Sequence, residues 1–191
     1  MLRLFQSVMV AGAMAVVTAA GSAEDVTTRG VTVPGSVQVA DTELTRVGYG
    51  TSWYGIFKVY VAALYAPADV ESDRVLERNV PRVLEITYLR SVAAEDIRTA
   101  TDEVLDEQYS DAERAEFDED FQRFNELYRD VEDGDTYRYE YVPEGEESRL
   151  YYNGELQGRA NGARFARTYL GIWLGEPPLS QDLKAALLGD D

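Results

Sequence analysis

Cysteine and histidine are both absent from this chain, and lysine occurs only twice, at Lys58 and Lys184. Without cysteine there can be no disulfide, no thiolate nucleophile and no lipoprotein attachment site. Without histidine, Ser-His-Asp and Cys-His catalysis are excluded, as are the usual zinc ligand sets. Any chemistry must come from carboxylates, tyrosines, arginines, the two lysines, hydroxyls or backbone amides. Positive charge is scarce as well: 18 basic residues stand against 35 acidic ones, a net charge of −17. So acidic a protein is repelled overall by phosphate backbones and anionic lipid surfaces, which excludes nucleic acid as an expected partner.

The N-terminus reads MLRLFQSVMVAGAMAVVTAAGSAED. Arg3 precedes an apolar run from about Val8 to Ala20, and the small residues Gly21 and Ala23 suit a signal-peptidase site. The run is shorter than the roughly 20 apolar residues a spanning helix needs. Residues 1–23 are therefore predicted to be a cleavable secretory signal peptide, and the mature protein to be periplasmic or secreted and not embedded in a membrane. Its removal takes Arg3 and no acid, so the mature net charge falls from −17 to −18. The remaining 24–191 is predicted to be a single domain, long enough to bury a core without staples.

Alternation and turn chemistry mark the strands. VTVPGSVQVADTELTRVGYG holds two short alternating stretches around Pro34-Gly35. Trp53–Tyr65 is rich in aromatic and β-branched residues and reads as one long strand ended by Pro67. Residues 82–90, RVLEITYLR, read as another, after a polar connection at 69–80. The period then becomes helical. Ile97, Ala100, Thr101, Val104 and Gln108 share a face, with Ser91 as the expected cap. Ser110 and Glu113 form a capping-box signature before a second amphipathic helix carrying Phe117, Phe121, Phe124, Tyr128 and Val131. TYRYEYV, ESRLYYNG and ELQGRA return to a period of two, with Asn153-Gly154 a strong hairpin signal. A helix from about Gly162 to Leu174 and a short one capped by Ser180 close the chain. Strands and helices segregate, so the class is α+β with a mostly antiparallel sheet.

Several candidate sites reduce to ordinary structure. Residues 102–120 carry ten acids and one arginine, a composition typical of a solvated helical face. DVEDGDT at 130–136 lacks the full calcium-loop pattern, so no metal site is expected, and no cofactor either. The stripe Phe117, Phe121, Phe124, Tyr128 fits a core face. GRANG, flanked by Arg159 and Arg164, offers a helix N-terminus to an anion, but the commoner reading is a tight turn into a helix.

Lys58 is the unusual residue, lying in the apolar run GIFKVYVAALYAP. On strand alternation it shares a face with Tyr60, Ala62 and Leu64, while Val59, Val61, Ala63 and Tyr65 face the other way. A lysine there must snorkel, pair with an acid such as Glu85, or meet a polar ligand. If the Trp53–Tyr65 and 82–90 strands pair, Lys58, Tyr60, Tyr88 and Arg90 cluster at one mouth, a setting suited to a carboxylate with an apolar tail.

VPGSVQVADTELTRVGYG, FKVYVAALYAP, LEITYLRSVAAEDI and NGELQGRANGARFARTYLGIWLGEPPLSQDLKAALLG together resemble the bacterial chalcone isomerase-like proteins, from about Val31 to Gly189. The resemblance implies an open-faced β-sandwich with a large antiparallel sheet covered by helices. Plant enzymes of that superfamily cyclise chalcones, and plastid relatives bind fatty acids. The plant enzyme's arginine, threonine, tyrosine and asparagine match positions near Ser52, Tyr60, Ile97 and Val104, and none is kept. The expectation is a non-catalytic binder of a small apolar or amphipathic molecule, such as a fatty acid, using Lys58, Tyr60, Tyr88 and Arg90. Two alternatives remain: an isomerase or lyase using Tyr60 and Arg90, and an envelope protein docking a partner on the acidic helices of 94–130.

Overall fold

A computed structural model describes residues 23–190; the expected signal peptide, apart from Ala23, lies outside them. Seven antiparallel strands form one curled sheet in sequence order, β3 (Ser36–Val39), β4 (Thr42–Tyr54), β5 (Phe57–Ala66), β6 (Arg82–Tyr88), β7 (Thr136–Val142), β8 (Glu147–Tyr152) and β9 (Glu155–Asn161). A separate hairpin, β1 (Val26–Thr28) and β2 (Val31–Val33), precedes it. Five helices follow the strand runs: α1 (Ala94–Gln108), α2 (Asp111–Arg114), α3 (Asp118–Asn125), α4 (Ala163–Leu174) and α5 (Gln181–Leu188).

The alternation of β5 and β6 explains how the layers assemble. Tyr60, Ala62, Leu64, Leu84, Ile86 and Tyr88 join the main core beneath the helices. Val61, Ala63, Tyr65 and Val83 join a smaller core on the opposite face, together with Val33 of β2. Both faces of β5 are thus covered, as its unbroken apolar sequence requires. Arg46 ties the hairpin down by donating to the Val33, Pro34 and Glu24 carbonyls. Farther along, the same outer face is partly exposed and carries a cross-strand charge ladder around the buried Glu140. Arg138 meets Glu85 and Glu140, while Arg149 meets Glu140 and Glu147.

The long strand expected over Trp53–Tyr65 is in fact a hairpin. Gly55, at φ +59°, and Ile56 form the turn, and Tyr54 pairs with Phe57. A left-handed residue is cheap for glycine, and one isolated glycine was too weak a signal to divide the apolar run. The second helix is also interrupted. Its capping box forms, with Ser110 N–H donating to Glu113 Oε2 at 2.9 Å, but Phe117 leaves helical geometry at φ −133°. Its ring packs edge-on to Tyr109 and Phe121. No glycine or proline marks this break, so side-chain packing decides it.

Ser91 does not cap α1. The cap is Ala93, and the Ala94 N–H donates instead to Asp130 Oδ1 at 2.9 Å. The antiparallel bridge between Val92 and Val131 brings that distant carboxylate into place. Ser180 does cap α5, accepting from Leu183 N–H at 3.2 Å. Helix α5 then lies directly on β4: a Cβ at Gly48 would stand 2.2 Å from the Ala186 carbonyl oxygen.

Candidate functional site: an aromatic cleft between sheet and helices

The register of β4, β5, β6 and β7 brings three tyrosines into one group. Tyr60 lies opposite Tyr88, and Ile86 opposite Tyr137. The Tyr60 and Tyr88 rings meet edge to face at 5.7 Å, and Tyr88 meets Tyr137 at 6.3 Å. Above them, Ile97, Ala100 and Thr101 of α1 and Trp173 of α4 close a cleft of about 100 Å³. The helical spacing of the α1 residues puts all three on its sheet-facing side. Tyr128 completes the aromatic wall, and among the described residues Asp96 is the only charged one lining the cleft.

Most of the hydroxyls in the wall are already engaged. Trp173 Nε1 donates to the Tyr60 hydroxyl at 3.0 Å. Tyr128 and Tyr169 share a hydroxyl–hydroxyl bond. The Tyr137 hydroxyl accepts from the Arg129 N–H at 2.7 Å. Tyr88 makes no hydrogen bond through its hydroxyl among the described residues, which leaves it as the polar group best placed to meet a ligand.

Burial sets the ionisation of these phenols. It raises the pKa of Tyr60, opposed by hydrogen bonds from Ser52 and Trp173. Burial lifts Tyr88 well above the usual phenol value, reinforced by Tyr128, Tyr60 and Tyr137. Tyr128 is raised for the same reason. At neutral pH all three are therefore protonated and can donate hydrogen bonds, but none is a ready base. A raised pKa disfavours Tyr60 as a general base.

Of the four residues expected to form one mouth, the structure brings Tyr60 and Tyr88 into the cleft. Lys58 and Arg90 are not among its lining residues. The Lys58 ammonium lies 5.4 Å from the Trp53 ring centre, and the Arg90 guanidinium lies 4.8 Å from that of Phe57. Both side chains are exposed. The expected pairing of Lys58 with Glu85 does not form, because Glu85 meets Arg138 across the β6–β7 pair.

The other candidates are accounted for by contacts within the fold. Phe121 and Phe124 pack against Phe165 and Tyr169 in the core. The N-terminus of α4 is met by Glu146, whose carboxylate accepts from the Ala163 N–H. Arg159 and Arg164 pair with Glu147 and Glu116. In the acidic stretch, Arg114 gathers Asp102, Asp106 and Asp118 at 3.1, 2.9 and 2.8 Å. Among the described residues, no cluster of carboxylates is arranged to hold a metal ion.

Sequence reading missed Arg82, which is fully buried. Its guanidinium donates to the Val75, Glu77 and Val80 carbonyls and stacks 4.3 Å from the Tyr141 ring centre. No carboxylate pairs with it among the described residues. The carbonyls that hold it come from an irregular segment whose path has no sequence signature.

Comparison with known proteins now decides the family. A profile of the chalcone isomerase-like family matches residues 25–189. The chain belongs to the chalcone isomerase-like family. No curated protein matches this chalcone isomerase-like chain in sequence. Its fold is similar to that of the crystal structure of a fatty-acid binding protein from Arabidopsis thaliana. The TM-score is 0.69 at 18% identity, covering 87% of this chain and 97% of the other.

Within this chalcone isomerase-like fold, Ser52 is the residue that the sequence resemblance set against the plant enzyme's arginine. It is buried and lies opposite Tyr60 in the β4–β5 register. Ile97 lines the cleft.

Proposed function

We propose that this chalcone isomerase-like protein is a secreted, non-catalytic carrier or sensor of a small apolar or amphipathic molecule, such as a fatty acid. The observation that carries the reading is the cleft itself. Its wall is mostly apolar and aromatic, and its tyrosines are held protonated. The likeness to a fatty-acid binding protein supports the same reading.

The cleft of about 100 Å³ is smaller than the roughly 300–1,000 Å³ of ordinary ligand pockets. An apolar tail therefore enters end-on, between Tyr88 and Trp173, or α1 moves outward to admit more of it. The Tyr88 hydroxyl offers one hydrogen bond inside. Lys58 and Arg90 stand one residue before Val59 and two before Val92, both of which line the cleft. An anionic head group that stays outside the cleft would meet them there. Asp96 disfavours a carboxylate deeper in the site.

The test is native mass spectrometry of the chain from Glu24, purified gently from its own host, followed by organic extraction. A bound apolar molecule lost in a Tyr88→Ala, Trp173→Ala double variant would support the reading. A protein that is empty as isolated and stays empty when offered palmitate and decanol would refute it. N-terminal sequencing of the exported protein would check secretion, with Glu24 as the expected first residue.

A further inference from the structure

One end of the molecule is unlike the rest of its surface. The β4–β5 turn leaves four large apolar side chains in water: Trp53 49%, Tyr54 81%, Ile56 83% and Phe57 53% exposed. Isolated exposed apolar residues are common, but four within five positions form a patch of the kind that marks an interaction site. They also run against the chemistry of this chain. It has 35 acids, yet none falls between Glu43 and Asp69.

Three cations stand beside these rings. The Lys58 ammonium and the Arg29 guanidinium lie 5.4 and 5.9 Å from the Trp53 ring centre, and Arg90 lies 4.8 Å from that of Phe57. Arg29 comes from the turn of the β1–β2 hairpin, so two hairpin tips meet at this end. Among the described residues, none of the three cations has a carboxylate within ion-pair distance. In a chain of net charge −17, an unneutralised basic ring around an aromatic tip is the opposite of the average surface.

We propose that this end docks on a lipid bilayer. Ile56 and Phe57 enter the boundary between head groups and acyl chains, Trp53 and Tyr54 lie at head-group level, and Arg29, Lys58 and Arg90 contact lipid phosphates. The chemistry matches the interface on each count. Tryptophan and tyrosine partition to head-group depth because each has an apolar body and a polar tip. Apolar insertion combined with nearby cations is the general mode of peripheral anchoring. The overall negative charge does not prevent this, because charges beyond a Debye length of about 8 Å at physiological salt are largely screened. A tip-first approach presents Arg29, Lys58 and Arg90 to the membrane.

The surface chemistry stands whether or not the cleft is loaded, but the geometry joins the two. Val59 and Tyr60, on the same strand just beyond Phe57, line the cleft. A docked tip therefore brings the cleft to the membrane surface, where apolar molecules are held.

The experiment is vesicle flotation of the chain from Glu24, which lacks the apolar N-terminal segment. The vesicles are phosphatidylcholine alone and phosphatidylcholine with phosphatidylglycerol. The wild-type chain is expected to float with both, more with the anionic mixture. Trp53 emission should shift to the blue, since Trp173 is already buried. Ile56→Asp, at an exposed turn position, should reduce partition by about tenfold or more with an unchanged circular dichroism spectrum. Lys58→Glu with Arg90→Glu should abolish the preference for anionic vesicles. Absence of wild-type flotation with either vesicle would overturn the proposal, as would equal flotation of Ile56→Asp. So would a concentration-dependent dimer, lost in Ile56→Asp, in a chain that ignores vesicles, because the patch would then serve a second copy.

Discussion

Filling the cleft from α1 tests whether it is real free space and whether ligand uses it. Ala100 lines the cleft on the sheet-facing side of α1. Ala100→Leu adds three carbon atoms to a space of about 100 Å³, the liquid volume of about three waters. At about 0.8 kcal/mol per buried CH₂, full burial of the added group gains about 2.4 kcal/mol. Ordering the leucine side chain costs roughly 0.5–1 kcal/mol, and alanine and leucine differ little in helix propensity. The net gain is about 1.5 kcal/mol, which corresponds to a Tm increase of about 3–6 °C for a chain of this length. The same variant should lose binding of N-phenyl-1-naphthylamine, a neutral apolar probe, in a fluorescence titration. A higher Tm with unchanged probe binding would mean that ligand enters elsewhere. A lower Tm would mean that the space cannot take three carbons, and the reasoning from cleft volume would fail.

Two further outcomes follow from the same structure. Tyr60, Tyr88, Tyr128 and Tyr169 all keep their protons above the ordinary phenol value of 10.0 because they are buried. The unfolded chain then binds fewer protons than the native chain above that value, so stability is complete below about pH 10 and falls as pH rises further. Tyrosinate absorbance from these residues should appear together with loss of the near-ultraviolet dichroism; any of them ionising below pH 10 in the folded protein would contradict this. Gly48→Ala puts a methyl group 2.2 Å from the Ala186 carbonyl oxygen. It should destabilise the chain by about 1–3 kcal/mol and release α5 to proteolysis at its C-terminal end, whereas an unchanged urea midpoint would show that α5 is not held by this contact.

How much of this protein is written locally can be seen element by element. The period-two pattern of Tyr137, Tyr139 and Tyr141 against Arg138 and Glu140 determined which face of β7 is buried, because a strand can only alternate. The Ser180 cap, the Asn153-Gly154 turn and the segregation of strands from helices were equally legible, since each depends on residues a few positions apart. The absence of histidine and cysteine excluded the catalytic sets that need them. Tyr60 and Tyr88 were legible as neighbours as soon as their two strands were taken as a pair.

What only tertiary structure decided depends on distance through space. The single Gly55 did not announce the turn that makes Trp53–Phe57 a hairpin tip instead of the middle of a strand, so the exposure of Ile56 and the fate of Lys58 were hidden with it. Ser91 was the nearest capping side chain to α1, but Asp130 reaches it across the Val92–Val131 bridge. Arg82 found three carbonyls along an irregular segment that no pattern predicts. Sequence alone fixes propensity and pattern, which act over one or two turns of chain. Which cation finds an acid, which finds an aromatic ring, and which stays exposed is set by contacts between distant segments, and these exist only once the sheet has curled and the helices have closed over it.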